Sequence, residues 1–251
     1  MGGFLAGAAY PFRALGVLRR NPPLRRYVIV PILLNLAVGA TIYAALLFGG
    51  FRLIDGWMAA VPESLRFLGS LLRVVLLIGL LLLTGWVLVR FGVVLGAPFY
   101  TALSQRLEQI VTGLAPPADP FSLGAVLRDI GRALAFELQK LLLVGLGAGI
   151  ILLGNLLPVV GQVVGVAGWV ALGALLACLD FLDPPLERRR LRFREKLGVI
   201  RRALPASAGF GVVAVGLVSI PFLNLLSIPL LITAGTLFFC ERIGGRGTPA
   251  A

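Results

Sequence analysis

Charge is distributed very unevenly along the chain. Two stretches, residues 141–179 and residues 203–240, contain no charged side chain. Each is about 40 residues long, roughly twice the length that an α-helix needs to cross a bilayer. Pro, Gly and Asn interrupt the first stretch at residues 155–158 and the second at residues 221–229. Two apolar arms around such a break predict a helical hairpin within a membrane.

Two further apolar segments predict membrane-spanning helices. Residues 28–50 form the first, and residues 74–103 form the second, whose inner end we expect to extend out of the bilayer. Arg90 interrupts the second segment, but its long side chain can carry the charge to the interface. Residues 1–20 mix apolar residues with arginines, which predicts a helix at the membrane surface, broken or bent near Pro11.

The more polar segments predict interfacial structure and loops. Residues 52–73 form an amphipathic connection between the two spans. Residues 116–120 are rich in proline and predict a loop, after which we expect an amphipathic helix over residues 122–140 with Ser122 as its cap. Residues 241–251 form a short, Gly-rich tail that we expect to be disordered.

The composition identifies an integral membrane protein. Hydrophobic residues make up 59% of the chain and charged residues 14%, against about 45–50% and 25% in soluble domains. Backbone polar groups in lipid must pair with each other, and continuous apolar runs favour helices over a closed barrel. We therefore predict one all-α membrane domain over residues 1–240, with two long transmembrane helices, two Pro-broken hairpins and interfacial amphipathic helices.

Several classes of function are disfavoured. The net charge of +12 does not indicate nucleic-acid binding, because the arginines cluster beside apolar segments, as charges that set membrane topology do. The chain has no His, and Cys178 and Cys240 fit no metal-ligand spacing. Asp180 and Asp183 lie beside two prolines, which predicts a helix cap and a turn rather than a catalytic pair. We expect no enzyme activity, no metal and no cofactor, and the lipid bilayer as a partner.

The positions of Lys and Arg predict the orientation. If the N-terminus is cytoplasmic, two helices span, and each charge-free stretch returns to its starting side, then 20 of the 23 basic residues are cytoplasmic and the 3 others lie in residues 52–73. This asymmetry follows the positive-inside rule and places both termini in the cytoplasm.

The two hairpins either cross the membrane fully or only dip into it. Their arms have about 18 residues, or roughly 27 Å of helix, which is marginal for a hydrocarbon core of about 30 Å. The breaks carry leucines and valines but no charge, although full crossing would expose them to water. Partial penetration explains both features, and full crossing stays the alternative.

Six segments occur in the order typical of one membrane-protein family. They are NPPLRRYVIVPILLN (21–35), GAPFYTALSQRLE (96–108), ELQK (137–140), LPVVGQVV (157–164), Asp180-Phe181 with nearby prolines, and IPFLNLLSIPLLITAGT (220–236). Together they resemble the CysZ-type sulfate permeases, within the wider family of etoposide-induced-protein homologues. The resemblance implies long membrane helices, partly penetrating hairpins, a homo-oligomer, and sulfate uptake across the bacterial inner membrane for cysteine biosynthesis.

Arg25 and Arg26 are the candidate anion-binding residues. They lie in the first turn of a helix, for which Asn21 is a candidate N-cap, and both the helix dipole and the planar guanidinium favour an oxyanion. By resemblance, Leu24 and these arginines form the family's sulfate site; the alternative is that the arginines only orient the protein. The family usually has Gly where this chain has Pro23, and proline offers no backbone N–H.

Other polar residues are candidates for a conduction path. The candidates for the inner mouth and the pore are Arg106, Glu108, Glu137, Lys140, Asn155, Gln162 and Asn224. The alternative, which the pattern favours, is that the first four form interfacial ion pairs and that the three amides hold the open turns. The basic run over residues 188–194 is explained by topology and by anionic lipid headgroups, or by attraction of sulfate.

Two functions remain open from the sequence. The first is a sulfate channel or permease driven by the ion gradient, since no nucleotide-binding motif is present. The second is a membrane-shaping, lipid-handling or assembly protein on the same scaffold, which Pro23 and the interfacial helices favour.

Overall fold

The computed structural model describes residues 3–59, 61–65, 67–113, 123–156, 161–220 and 223–244. Every regular element in these ranges is helical, which confirms the all-α prediction. The α-helices are α1 (Phe4–Ala8), α2 (Tyr10–Arg20), α3 (Pro22–Met58), α4 (Phe67–Thr112), α5 (Leu123–Gly154), α6 (Gly161–Glu187), α7 (Phe193–Arg202), α8 (Ala206–Val218) and α9 (Leu223–Phe238). Glu63–Leu65 forms a short 3₁₀ turn, and Phe239–Ile243 continues α9 as a π-helical turn.

Five described segments are long and apolar enough to cross a membrane. They are Pro22–Met58, Phe67–Gly85, Gly131–Gly154, Gly161–Glu187 and Leu226–Ile243. A sixth arises if α7 and α8, which meet at an angle of 106°, are counted as one broken span. The number of such helices is greater than the two full spans expected from the sequence because the arms that contain α5, α6 and α9 also meet the criterion, whereas α8 meets it only together with α7.

The first two long helices extend beyond their predicted spans. Helix α3 has 37 residues and includes Pro31, and α4 has 46 residues and includes Pro98. At 1.5 Å per residue they are about 55 Å and 69 Å long, well above a hydrocarbon core of about 30 Å. The side chain of Arg90 lies outside the described residues.

The amphipathic helix expected over residues 122–140 is not a separate element. Helix α5 continues through Lys140 into the first charge-free stretch and ends at Gly154. No helix breaker lies between Glu137 and Leu143, and Leu, Gln and Lys all favour helix, so a change from polar to apolar surface does not end it. Ser122 and the loop over residues 116–120 lie outside the described residues.

The cap and turn expected at Asp180 and Asp183 are also wrong. Helix α6 continues through both aspartates and two prolines to Glu187. The chain leaves the helix at Arg190, whose φ is 53°. Its N–H donates to Glu187 O at 2.7 Å and the next N–H donates to Leu186 O at 3.4 Å, the bond pattern of a Schellman cap.

Residues Met1–Arg25 and Tyr100–Ala251 form one compact unit. Within it, α6 packs against α5, α8 and α9, while α1 packs against α8 and α2 against α9. Helix α2 buries Tyr10, Ala14 and Leu18, at the four-residue spacing of one helix face. Tyr10 meets Phe238 edge to face, with ring centroids 4.9 Å apart. The segment expected at the membrane surface therefore also has a protein-facing side.

The C-terminal end of this unit stays ordered past the boundary expected from the sequence. Arg13 donates to both oxygens of Glu241, at 2.7 and 2.8 Å, and the Tyr10 hydroxyl donates to the same carboxylate at 2.9 Å. These contacts tie the turn after α9 to α2. Residues 245–251 of the predicted tail lie outside the described residues.

Residues Arg26–Phe99 form the second compact unit, a pair of antiparallel helical segments. The Tyr43 hydroxyl donates to Leu77 O at 3.1 Å, and Arg73 forms an ion pair with Asp55 nearer the connection. Large apolar side chains in this unit are mostly exposed; Leu82, for example, is 69% exposed. In a membrane protein such surface faces lipid or another protein.

Candidate functional site

The joint between α2 and α3 holds the predicted anion-binding residues. Helix α3 begins at Pro22, directly after Asn21. The Asn21 side-chain amide donates to Val17 O at 2.9 Å, and so this residue closes the end of α2. The Leu24 N–H donates to Asn21 O at 3.0 Å. Because Pro22 and Pro23 have no N–H, the first three residues of α3 leave no backbone donor for an anion.

Arg25 ties the two helices together. Its Nε donates to Leu18 O at 3.1 Å and its Nη2 donates to Arg19 O at 2.5 Å, both at the carbonyl end of α2. A guanidinium at this end also opposes the negative pole of the helix dipole. Two of its five N–H donors are used in this way, which leaves three for another partner. The adjacent Leu24 side chain is fully buried.

Arg26 has a different environment from Arg25. Its side chain is exposed, its guanidinium carbon lies 4.8 Å from the centroid of the Tyr27 ring, and Nη2 donates to the Tyr27 hydroxyl at 2.9 Å. Stacking of this kind orients the guanidinium while leaving most of its donors accessible. Both arginines are exposed at this joint, but Arg25 uses two donors to hold the helices, whereas Arg26 donates to the neighbouring Tyr27 hydroxyl.

A buried group of polar residues lies elsewhere, at the end of α4. Glu108 accepts a hydrogen bond from Arg188 Nη2 and one from Arg189 Nη2, each at 2.5 Å. Ser104 accepts a bond from Arg188 Nη2 at 3.0 Å, and its hydroxyl lies 2.7 Å from that of Thr236. We call these five residues the Glu108 cluster. It joins α4, the end of α6 and α9.

The Glu108 cluster holds a carboxylate in a nearly dry place, since Glu108 is 4% exposed. Burial by itself raises the pKa of Glu108, but the hydrogen bonds and charges of Arg189 and Arg188 outweigh it, and the pKa lies below its ordinary value. Arg188 has unused capacity, because its buried Nε and Nη1 find no hydrogen-bond partner among the described residues. A water or an oxyanion can meet these donors without breaking the ion pair.

The four residues predicted at an inner mouth do not form one cluster. Lys140 donates to Glu137 Oε1 at 2.8 Å and to Asp180 Oδ1 at 2.9 Å, which links α5 to α6. Glu108 pairs with Arg188 and Arg189 instead. Arg106 donates to Gln109 Oε1, one turn along its own helix, at 2.9 Å. Asp180 is therefore an ion-pair partner, a role that the sequence did not indicate.

Lys196 is a second buried charge that the sequence did not single out. It is 2% exposed and donates to Asp183 Oδ1 and to Glu187 Oε2, each at 2.6 Å. Its ammonium also lies 4.3 Å from the centroid of the Phe136 ring. These contacts fasten α7 to α5 and α6. The acidic and aromatic partners of Lys196 lie on other helices, so the local sequence does not reveal them.

The three candidate pore amides lie in different surroundings. Asn155 and Gln162 are exposed, and a Cβ added at Gly165 would lie 2.4 Å from Asn155 Oδ1, so the Asn155 side chain packs closely against Gly165 of α6. Asn224 is half-buried, and its buried Oδ1 has no hydrogen-bond partner among the described residues. The contact of Asn155 favours its role in holding the turn, whereas Asn224 retains an unused acceptor. No group of His, Cys, Asp and Glu in the described residues is arranged to hold a metal ion.

Comparison with known proteins gives a consistent family assignment. Residues 10–229 match the model of the family described as sulfate transporter CysZ/etoposide-induced protein 2.4. A sulfate transporter CysZ from Vibrio parahaemolyticus is 31% identical over 221 residues, which cover 87% of this chain and 88% of the relative. The protein of that name from Salmonella typhimurium is 28% identical over 88% of this chain and 86% of its own. The protein of the same name from Pseudomonas aeruginosa is 27% identical over 96% of this chain and 97% of its own. The resemblance seen in the sequence is confirmed, and the chain belongs to the sulfate transporter CysZ/etoposide-induced protein 2.4 family.

Proposed function

We propose that this protein is a sulfate channel or permease of the bacterial inner membrane that supplies sulfate for cysteine biosynthesis. The observation that carries the proposal is the match to relatives named sulfate transporters over about nine-tenths of both chains. The candidate spans agree with a membrane transporter, and sulfate moves along its gradient because the sequence contains no nucleotide-binding motif. The active unit is a homo-oligomer, as the family resemblance implies.

Arg26 is the candidate for the first contact with sulfate, because its guanidinium makes fewer hydrogen bonds within the protein than that of Arg25. Its guanidinium is exposed and oriented by Tyr27, and a planar guanidinium can donate two parallel bonds to an oxyanion. Arg25 contributes charge through its unused donors while it holds the joint. Backbone N–H groups contribute little here, because the first two residues of the helix are prolines, which have no N–H. Sulfate binding at this joint therefore depends on side chains more than on a helix N-terminus.

Arg188 is a candidate for a later contact, inside the protein. Its Nε and Nη1 are buried and have no hydrogen-bond partner among the described residues, while Glu108 neutralises part of its charge. A pore for a dianion needs donors that bind it weakly enough to release it. Because the Glu108 carboxylate offsets part of its charge, Arg188 should bind a dianion more weakly than an isolated arginine and so release it more easily.

The two hairpins penetrate the membrane only in part, and both termini are cytoplasmic. In the second hairpin, helix α8 has 13 residues, or about 20 Å, which is short of a core of about 30 Å. Leu156 and Ile220, beside the two breaks, are exposed, which suits lipid better than water. The distribution of basic residues supports the orientation.

Uptake of labelled sulfate into proteoliposomes tests the transport function. We expect uptake above that of empty vesicles, and an Arg26→Ala variant should lose about tenfold, since a charge-assisted hydrogen bond contributes about 1.5 kcal/mol. Arg20→Ala is the matched control, because Arg20 is also exposed and lies on α2 outside the predicted site. Wild-type uptake equal to that of empty vesicles would refute sulfate transport; equal uptake by both variants would refute the role of Arg26.

Labelling of a Leu156→Cys variant with a membrane-impermeant maleimide tests the topology. Partial penetration keeps this position in lipid, so we expect no labelling from the outer side of intact cells. The native thiols do not interfere, because Cys178 and Cys240 are buried. Rapid labelling from outside would establish full crossing.

A lipid-handling or membrane-shaping role is the second candidate. The observation that favours it is the joint itself, where prolines remove backbone donors, Leu24 is buried and Arg25 is partly used in holding two helices. Under this function the protein inserts and folds normally, but vesicles show no sulfate uptake.

A further inference from the structure

A groove lies between α5 and the start of α7, and its lining contains no residue of the Glu108 cluster and none of the arginines at the start of α3. Its volume is about 600 Å³. Gln139, Leu142, Leu143 and Leu146 line one wall, and Arg192 and Arg194 line the other. The wall from α5 follows one helix face, since these positions are spaced at i, i+3, i+4 and i+7. The groove thus has an apolar wall that faces a basic one.

The two arginines of the groove differ from those a few residues earlier. Arg188 and Arg189 point to Glu108 and are part of the buried cluster. Arg192 and Arg194 are exposed and form no ion pair with any described residue. Glu195 also lines the groove, but its carboxylate accepts the Arg192 backbone N–H at 2.6 Å. Two arginines and one glutamate leave the groove with one net positive charge.

The apolar wall belongs to a candidate membrane span. Gly131–Gly154 is long and apolar enough to cross a bilayer, and Leu142 and Leu146 are exposed on it. From Gln139 to Leu146 the helix rises about 10 Å. The leucines of the groove therefore belong to a helix suited to the hydrocarbon of a bilayer, and the arginines of the opposite wall can meet a phosphate.

The groove is preformed. Lys196 fastens α7 through Asp183 and Glu187, and Phe193 meets Phe136 of α5 edge to face at 5.8 Å between ring centroids. These contacts fix Arg192 and Arg194 relative to the leucines of α5, so a ligand does not have to order the walls.

We propose that this groove binds an anionic phospholipid, with the phosphate at Arg192 and Arg194 and an acyl chain along Leu142, Leu143 and Leu146. A single net positive charge matches the single negative charge of a phosphatidylglycerol headgroup. Inorganic sulfate or phosphate would use the arginines but leave the apolar wall uncovered. The site is independent of sulfate transport, since it uses none of the residues assigned to that function.

Native mass spectrometry of the full chain in detergent tests the proposal. The protein is titrated with phosphatidylglycerol and, separately, with phosphatidylcholine of the same acyl chains. We expect the double variant Arg192→Gln/Arg194→Gln to bind phosphatidylglycerol about tenfold more weakly, because each arginine near a membrane surface adds attraction to anionic lipid. Its binding of phosphatidylcholine should change less than about twofold.

The double variant Arg201→Gln/Arg202→Gln is the matched control. Arg201 and Arg202 are exposed at the other end of α7 and do not line the groove, so removal of the same charge should leave phosphatidylglycerol binding unchanged. Circular dichroism and gel filtration establish that both variants fold. Equal losses in the two variants, or no preference of the wild type for phosphatidylglycerol, would overturn the proposal. Displacement of the lipid by inorganic sulfate would assign the groove to free oxyanions instead.

Discussion

The two compact units of the chain use apolar helices in opposite ways. In Met1–Arg25 with Tyr100–Ala251, backbones touch: a Cβ added at Gly7 would lie 1.7 Å from Ala206 O, and one at Gly209 would lie 1.9 Å from Phe4 O. In Arg26–Phe99, a Cβ added at Gly50 would meet the side chain of Leu76 but no backbone, and one at Gly49 would meet no described atom within 4 Å. Close approach of backbones, and not hydrophobicity, therefore distinguishes surface buried in protein from surface left for lipid.

The ion pairs of the two units also differ in how deeply they are buried. The Glu108 carboxylate side chain is 6% exposed, and its partner side chains, on Arg188 and Arg189, are 13% and 30% exposed. The Asp55–Arg73 pair in the other unit is about half exposed on both sides. A buried pair leaves an uncompensated charge when one partner is removed, whereas an exposed pair is replaced by water. The same residue types therefore have unequal importance for stability.

Gly209→Val should produce the largest effect. The added side chain would overlap the backbone of α1, so α8 and α1 have to separate, and we expect a loss of at least about 4 kcal/mol in unfolding free energy or failure to fold. Gly49→Ala is the control, for which we expect a gain of about 0.5 kcal/mol, since alanine favours helix and has room. Chemical unfolding in detergent measures both. A tolerated Gly209→Val would contradict the close contact of α1 and α8.

Glu108→Ala should have the next largest effect. Removal of the carboxylate leaves Arg188 buried without its counter-ion, and we expect a loss of about 3 kcal/mol in unfolding free energy. Asp55→Ala removes an acidic partner from the exposed pair and should cost about 0.5 kcal/mol. The two variants are compared by the same unfolding measurement. Equal losses would show that burial does not distinguish the two ion pairs.

The pH dependence of stability should show the smallest effect. The folded pKa of Glu108 lies below its ordinary value of 4.5, so the unfolded chain binds this proton more readily. Stability from this group is complete above the unfolded pKa and is lost as pH falls through the folded pKa. A Glu108→Gln variant, followed by unfolding at several acidic pH values, should show a shallower loss. An unchanged slope would remove Glu108 from the acid response.

The sequence identified the helical fold and the candidate anion-binding arginines, but not the boundaries of helices. It placed a boundary near Lys140 and a turn at Asp183, where polar residues meet apolar ones. The structure continues the helix through both, because Lys140 pairs with Asp180 and Asp183 pairs with Lys196. A charge within a helix needs only a partner on a neighbouring helix, and such a partner is not visible in a local pattern.

The candidate site was predictable to a similar extent. The family resemblance selected Arg25 and Arg26, but it could not show that Arg25 holds the end of α2. The basic run over residues 188–194 suggested topology, lipid headgroups or sulfate. Arg188 and Arg189 instead reach Glu108, which is 80 and 81 positions earlier in the chain. Pairing over such a separation depends on how helices pack.

The sequence by itself determined that this is an all-α membrane protein with two charge-free stretches and an uneven distribution of arginines. It could do so because partition of charged and apolar residues between water and lipid is a property of each segment alone. Only the tertiary structure decided which arginines are buried with Glu108, which stay free at the groove, and which helices touch through glycine. Those outcomes depend on distances between segments far apart in the chain, and each requires that two surfaces fit.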